Sequence, residues 1–260
     1  MPGQSFRGFT ERVALVVGGG RGVGRAVALQ LALEGALVVV SYGRGDAEGA
    51  SVARELQELG TLAHAFEADV SQAEDVRRLF ELVNETYGRL DLMVNCAGLD
   101  ISESVPLDEL TPESWDKVLN LTLKGSFLCA QAAAGLMRRR PSPSIVNVAL
   151  EAGLRGESVG AHLVAAHAGV VGLTKALARE LAPRIRVNCV AVASPEAEMR
   201  KYDDSHQPTH SPTADLGISR SARKLAPDDI ARSCIYLLSA DAASINGQTL
   251  IVGTNSKSEG

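Results

Sequence analysis

The chain has 260 residues, of which 45% are hydrophobic and 4% aromatic, so it is long enough to bury one core of mainly aliphatic side chains. Its net charge is −5 without a long basic run, which argues against nucleic-acid and membrane-surface partners and favours a small molecule or a protein. The first ten residues lack a signal core, no apolar run reaches roughly 18 residues, and four dispersed cysteines form no metal pattern. We therefore expect one cytoplasmic domain over 1–260 and no bound metal.

The first predicted element is a strand over Val13–Val17, which runs through a glycine-rich turn into a helix over Gly22–Leu33. Glycines in such a turn let the backbone bend tightly, approach a pyrophosphate and bring helix against strand. The start of the helix offers unpaired N–H groups to an anion. The predicted phosphate-site residues are Gly18, Arg21, Gly22, Val23 and Gly24.

A second strand over 36–41 and a helix over 46–59 complete a β-α-β unit. Units of this kind that bind NAD usually end the second strand on an acidic residue, which takes the ribose 2′-hydroxyl, whereas this chain has Tyr42. Arg44 and Arg21 offer two guanidinium groups to a 2′-phosphate, unless both are solvated loop arginines. If a dinucleotide binds, NADP(H) is favoured over NAD(H).

Strands and helices continue to alternate, which is typical of a parallel α/β sheet. Further strands are predicted over 61–66, 90–94, 144–149 and 247–252. Helices are predicted over 72–87 with Ser71 as N-cap, over 112–140 with Thr111 as N-cap, over 164–181 and over 227–239. The segments 1–10 and 254–260 are expected to be tails, and the polar segment 194–223 a lid-like loop.

Three motifs, GGGRGVG at 18–24, ADV at 68–70 and NCAG at 95–98, occur in an order and at separations that resemble the short-chain dehydrogenase/reductase family. The likeness extends from about residue 11 to 252 and is greatest to the 3-oxoacyl-thioester-reductase-like members. It implies a single-domain Rossmann fold with a doubly wound, seven-stranded parallel sheet and helices on both faces. It also places adenine near Asp69 and Val70 and the cofactor over Asn95, Ala97 and Gly98.

In this family a tyrosine protonates the substrate carbonyl while a lysine lowers the pKa of that tyrosine and holds the ribose. A serine orients the carbonyl, and an asparagine holds a relay water. The flanking stretches AGLRG, AGVVGLTKALARELAP and IRVN set the register. In that register the chain has Thr122 for asparagine, Leu150 for serine, Leu163 for tyrosine and His167 for lysine. Leucine can neither donate a proton nor accept a hydrogen bond, so we predict that the usual reductase chemistry is lost.

Other departures from the family pattern concern the nicotinamide half of the site. Val17 stands where a threonine is usual, Val192-Ala193 replaces a Pro-Gly pair, and Gly253 begins a segment that is usually Asp-Gly-Gly. We expect the adenosine and pyrophosphate half to be better kept than the redox half.

The leading hypothesis is a catalytically degenerate homologue that keeps the fold and NADP(H) affinity, or binds no cofactor, and acts as a non-catalytic subunit or regulator. It would assemble with itself or with an active paralogue through the small residues Ala168, Gly169, Gly172 and Ala176, unless these simply pack on the sheet. One alternative is acid–base chemistry at His167 on an unidentified small molecule, with Glu151 and His162 as weaker candidates. The other is an atypical NADP(H)-dependent carbonyl reductase.

Overall fold

The computed structural model describes residues 8–43, 45, 49–100, 104–156, 159–193 and 225–253. In this part of the chain seven parallel strands form one sheet: β1 Val13–Val17, β2 Leu37–Tyr42, β3 Ala63–Glu67, β4 Leu92–Asn95, β5 Ser144–Leu150, β6 Arg186–Val192 and β7 Thr249–Val252. Their order across the sheet is β3-β2-β1-β4-β5-β6-β7. The predicted Rossmann architecture is confirmed, and the predicted strand ends are displaced by no more than two residues.

The helices are α1 Gly22–Leu33, α2 Gly49–Glu58, α3 Ala73–Tyr87, α4 Pro112–Leu119, α5 Gly125–Met137, α6 Ala152–Arg155, α7 Ala161–Glu180 and α8 Pro227–Leu238. A 3-10 turn, Ala240–Ala242, follows α8. The prediction of one helix over 112–140 is wrong, because a π-helical turn at Asn120–Lys124 separates α4 from α5 and α5 ends at Met137.

The two predicted N-caps have different outcomes. Thr111 is confirmed, since its side chain accepts a hydrogen bond from the Ser114 N–H at 3.2 Å. Ser71 is wrong: Gln72 precedes α3, and the Ser71 hydroxyl instead donates to the Asp69 carboxylate at 2.7 Å. The Ser71 hydroxyl is therefore hydrogen-bonded to Asp69 and does not cap the helix.

Both faces of the sheet are covered, as a parallel sheet requires. Ala14 and Val16 of β1 belong to one buried apolar cluster, with α1, α2 and α8. Val13, Leu15 and Val17 belong to the other, with α3, α5 and the end of α7. All four cysteines are buried free thiols, and burial raises the pKa of Cys96, Cys129 and Cys189 to about 12.

Helix α7 has the length and composition of a membrane span, but half of its apolar window is buried within the protein. It contacts β5 and β6, which is the setting of a core helix. The chain order reverses between β1 and β4, which lie side by side. In sheets of this kind a cleft for ligands forms outside the carboxyl ends of the strands at that reversal.

The opposite, amino edge of the sheet is joined by one buried carboxylate. Asp91 is fully buried and accepts hydrogen bonds from the Val13 N–H at 2.9 Å, Arg89 Nε at 2.8 Å and Arg140 Nε at 2.9 Å. Burial alone would raise the pKa of the Asp91 carboxyl, but these three donors together hold it below its usual value. The start of β1 and the two loops that enter β4 and β5 are thereby joined.

Candidate functional site

The glycine turn after β1 is closed by contacts that leave no room for side chains. Gly18 has φ +72°, and a Cβ there would lie 3.0 Å from the Ala97 nitrogen. A Cβ at Gly24 would overlap the carbonyl oxygen of Gly18. The Gly19 N–H donates to the Ser41 carbonyl at 2.9 Å, which fastens the turn to the end of β2. Strand, turn and helix therefore meet backbone to backbone, as the phosphate-site prediction requires.

Helix α1 begins at the open edge of this turn, at Gly22. Arg21 precedes it in an extended conformation without a side-chain cap, and no acidic residue lies in the first helical turn. The first N–H groups and the positive end of the helix dipole are thus left for an anion. Val23, in the same turn of helix, is half-buried and packs on the apolar cluster below it.

Two arginines were predicted to meet a 2′-phosphate. Arg21 Nη2 lies 2.9 Å from Asp100 Oδ2, with the two side chains 68% and 47% exposed. Asp100 follows β4, so Arg21 is turned away from the end of β2, where Tyr42 lies. Arg44 lies outside the described residues. No signal within the glycine motif itself points to Asp100, because the contact arises only from the adjacency of β1 and β4.

The predicted adenine residues lie at the same carboxyl edge. The Ala68 N–H donates to the Tyr42 carbonyl at 2.9 Å, which brings the turn after β3 against the end of β2. Asp69 Oδ1 accepts from the N–H and hydroxyl of Ser71 at 3.0 and 2.7 Å, so this carboxylate is fixed in its turn. Val70 is 3% exposed and packs against Gly125, where a Cβ would lie 3.0 Å from it.

The predicted cofactor residues Asn95, Ala97 and Gly98 lie at the end of β4 and directly after it. Asn95 Nδ2 donates to Asn147 Oδ1 at 2.7 Å, and Asn147 Nδ2 donates to Thr174 Oγ1 at 2.9 Å, which makes a buried polar chain from β4 to α7. Ala97 lies against Gly18, as described above. At Gly98, φ is +86° and a Cβ would overlap the Thr122 hydroxyl.

The two leucines that the family register assigns to the serine and tyrosine positions are buried together. Leu150 is 4% exposed at the end of β5, and Leu163 is 1% exposed in the first turn of α7. They belong to one cluster of buried apolar residues, which we call the cleft cluster: Val118, Leu150, Ala152, Val159, Leu163 and Ala166. The end of β5 and the start of α7 therefore share a buried hydrocarbon cluster, which includes the predicted serine and tyrosine positions.

Thr122, at the predicted asparagine position, is 1% exposed and lies within the π-helical turn. Ser126 Oγ donates to the Thr122 carbonyl at 2.7 Å. That oxygen keeps a second lone pair beside the Ser126 hydroxyl, but the Thr122 side chain has no amide group like that of asparagine. Ser126 is a residue that sequence reasoning missed, because the contact depends on the π-helical turn.

His167, at the predicted lysine position, is fully buried, with Nε2 3.1 Å from the Gly98 carbonyl oxygen. Since a carbonyl only accepts, Nε2 carries the proton in this contact. In the part of the chain that the structure describes, the buried Nδ1 has no hydrogen-bond partner. Burial lowers the pKa of His167 to about 4, against a smaller raising effect of the Gly98 contact. The imidazole is therefore neutral near pH 7 and offers no cation.

The other two acid–base candidates are also enclosed. Glu151 is 5% exposed and pairs with Arg155, with Nε and Oε1 2.5 Å apart. His162 is fully buried, and a Cβ at Gly160 would lie 2.8 Å from its ring. His162 and His167 are both buried in α7, but they have different neighbours: Gly160 for His162 and Gly98 for His167.

Directly after β6 the chain stays paired with the last strand. The Ala193 N–H donates to the Val252 carbonyl at 3.1 Å, so the backbone continues its pairing with β7 beyond Val192. Tyr236, near the end of α8, lies towards the amino edge, because the next carbonyl, of Leu237, accepts a hydrogen bond from Arg186 at the start of β6. It does not reach the cleft, and the lid-like segment 194–223 lies outside the described residues.

The sequence pattern of the short chain dehydrogenases matches residues 12–208. A 3-oxoacyl-[acyl-carrier-protein] reductase, FabG, of Staphylococcus aureus is 37% identical over 244 residues, which cover 92% of this chain and 95% of that protein. The 3-oxoacyl-[acyl-carrier-protein] reductase of Synechocystis is 36% identical over 245 residues, or 94% and 96% of the two chains. The crystal structure of a Burkholderia xenovorans protein assigned to the short-chain dehydrogenase/reductases superposes with a TM-score of 0.80 at 27% identity, covering 94% and 97%.

Proposed function

The chain belongs to the short-chain dehydrogenase/reductase family, and from this premise we propose that it is a catalytically degenerate member that keeps an NADP(H) site and serves as a non-catalytic subunit or regulator. One observation carries the proposal. Leu150 and Leu163, at the serine and tyrosine positions of the family register, are packed together in the buried cleft cluster. A carbonyl placed there would meet neither a proton donor nor an orienting hydroxyl.

Loss of the proton donor is not compensated within the described cleft. His167 stays neutral at physiological pH, so it cannot supply the positive charge by which lysine lowers a phenol pKa. Of the four tyrosines, Tyr42 ends β2, Tyr87 and Tyr236 lie towards the amino edge, and Tyr202 is outside the described residues. General acid catalysis typically contributes about 10²- to 10⁴-fold, and members of a catalytic unit fail together.

The glycine turn supports the retained cofactor site. Backbone N–H groups from Gly18 to Gly24 would hold the pyrophosphate, Arg21 a 2′-phosphate, and Asp69 with Val70 the adenine. Asn95, Ala97 and Gly98 would support the middle of the dinucleotide. When bound, a reduced nicotinamide supplies hydride; the residues of this chain bind and orient the dinucleotide but hold no proton at the carbonyl oxygen.

A subunit role is supported by helix α7. Ala168, Gly172 and Ala176 are exposed along one side of it, at intervals of four residues, while Gly169 packs against Leu123. Small residues in this spacing let a second helix approach closely, from another copy or from an active paralogue. We expect the assembly to be cytoplasmic.

The test combines turnover with binding. Calorimetric titration with NADPH and NADH, and stopped-flow NADPH oxidation against ketones and acyl thioesters, should find binding without turnover. Native mass spectrometry of the chain co-expressed with its genomic neighbours should find a mixed particle. A homomeric particle that oxidises NADPH with a carbonyl substrate would overturn the proposal.

A second candidate is an atypical carbonyl reductase, which is favoured by the similarity to 3-oxoacyl-[acyl-carrier-protein] reductases over nearly the whole chain. It requires a proton donor from outside the described cleft, and the same stopped-flow assay would detect it. Acid–base chemistry at His167 is less well supported, because a buried imidazole with a pKa of about 4 is a poor proton donor and a weak base near neutrality.

A further inference from the structure

The side chain of Arg21 can bind a partner at the end of β2 or at the end of β4, but not at both at once. It lies in the turn that follows β1, and β1 is flanked by β2 on one side and β4 on the other. Adjacent strands are about 4.8 Å apart, so the ends of β2 and β4 are separated by about 10 Å. The end of β2 is where a ribose 2′-substituent is received in this kind of unit.

In the structure the guanidinium is on the β4 side, where Nη2 is 2.9 Å from Asp100 Oδ2. Asp100 comes two residues after Gly98, whose carbonyl is held by His167. The carboxylate therefore belongs to a segment fixed to the cleft floor, and it holds Arg21 away from the β2 side.

We infer that Asp100 is a specificity-determining residue, which competes with the 2′-phosphate of NADP(H) for the guanidinium of Arg21. The inference rests on the proposed cofactor site and adds a determinant of its selectivity. To pair with a 2′-phosphate, Arg21 must first leave Asp100, so the ion pair weakens NADP(H) binding. NAD(H) has no such phosphate, and its affinity does not depend on releasing the pair.

Both side chains are substantially exposed, so the effect of the pair is modest. Replacing Asp100 with asparagine should tighten NADPH binding about threefold at low ionic strength, and the gain should shrink as salt screens the charges. NADH affinity should be unchanged. Hence the ratio of the two affinities, rather than either alone, reports the competition.

The experiment is calorimetric titration of the whole chain with NADPH and NADH. The variants are Asp100→Asn, Arg21→Ala and the double variant, with Asp108→Asn as the matched control, because Asp108 is an exposed acid without an ion pair to Arg21 in the described structure. Asp100→Asn should raise the NADPH preference, Asp108→Asn should not, and the gain should vanish in the Arg21→Ala background.

Three outcomes would overturn the inference. If NADPH binds and Asp100→Asn behaves like Asp108→Asn, the competition is refuted while the proposed cofactor site stands. If NADH affinity rises as much as NADPH affinity, Asp100 acts only by general repulsion. If no variant binds either dinucleotide, the cofactor site and the inference fail together, whereas binding by Asp100→Asn alone would support the inference strongly.

Discussion

Truncation of Leu163 tests whether the cleft cluster is a packed core or the lining of an open site. The side chain is 1% exposed and joins α7 to a cluster that includes residues of α4, β5 and α6. Buried leucine-to-alanine changes cost ~2–5 kcal/mol, through lost transfer energy and the cavity left behind. Because four elements frame this position and limit its collapse, we expect Leu163→Ala to cost about 3 kcal/mol.

The measurement is equilibrium urea unfolding followed by far-UV circular dichroism, at one fixed protein concentration so that assembly does not shift the midpoint. In a thermal scan the same loss would lower Tm by roughly 6–12 °C, at about 2–4 °C per kcal/mol for a chain of this size. The control is Leu107→Ala, a leucine that is 79% exposed, which should stay within about 0.5 kcal/mol of the unsubstituted chain.

The result that would refute the reasoning is a cost below about 1 kcal/mol for Leu163→Ala, which large-to-small changes in a packed core do not show. The reverse change sharpens the test. Leu163→Tyr places a larger, polar side chain into a filled cluster and should also destabilise, by about 1–3 kcal/mol. A stabilised tyrosine variant would mean that the pocket retains room for a phenol.

Three further predictions concern other parts of the molecule. Gly24→Ala should abolish nucleotide binding and destabilise the protein by roughly 1–3 kcal/mol, because its Cβ would overlap the backbone of Gly18 in the glycine turn. Gly135→Ala is the control: this position faces open space on α5, and the change should stabilise the protein slightly. Stability should fall by on the order of 3 kcal/mol as the pH drops from about 6.5 towards 4, because His167 binds a proton in the unfolded state but not in the folded state. His167→Gln should remove this loss, and His64→Gln should not. Asp91→Ala should cost about 3–5 kcal/mol.

Each of these has its own measurement and contrary outcome. Calorimetry with NADPH that gives equal affinities for Gly24→Ala and the unsubstituted chain would contradict the account of the turn. Urea midpoints recorded from pH 4 to 8 that are flat, or that respond to His64→Gln instead, would contradict the buried neutral imidazole. If a thermal scan gave Asp91→Ala the same Tm as the unsubstituted chain, the amino edge of the sheet would have to be held by other contacts.

Elements bounded by strong local signals were predictable from the sequence. The first strand and helix have the expected limits because glycines separate a β-branched run from a helical pattern, and both signals lie within a few residues. The π-helical turn at 120–124 could not be predicted, because the local sequence pattern there still indicates one continuous α-helix. The turn lies where α4 meets α5, and its Thr122 packs against Gly98, a contact between residues distant in the sequence.

In the candidate site, too, some features could be predicted from the sequence and others are visible only in the structure. The assignment of Leu150 and Leu163 to the serine and tyrosine positions rests on the family register and stays a prediction, whereas their burial in one cluster came from the structure. The contact of His167 with the Gly98 carbonyl, and the low pKa that comes with burial, depend on how α7 lies over β4 and have no signature in sequence. The same is true of the Arg21–Asp100 pair, which joins residues 79 positions apart.

The carboxylate of Asp91 has a consequence for what the rest of the sheet can tolerate. It aligns the entrances of three central strands from the side remote from the cleft, through bonds to Val13, Arg89 and Arg140. The strand exits are held separately, by backbone bonds such as that of the Gly19 N–H to the Ser41 carbonyl. Because neither set of bonds involves the side chain of Leu150 at the exit of β5, that residue can be exchanged without the strand slipping against its neighbours.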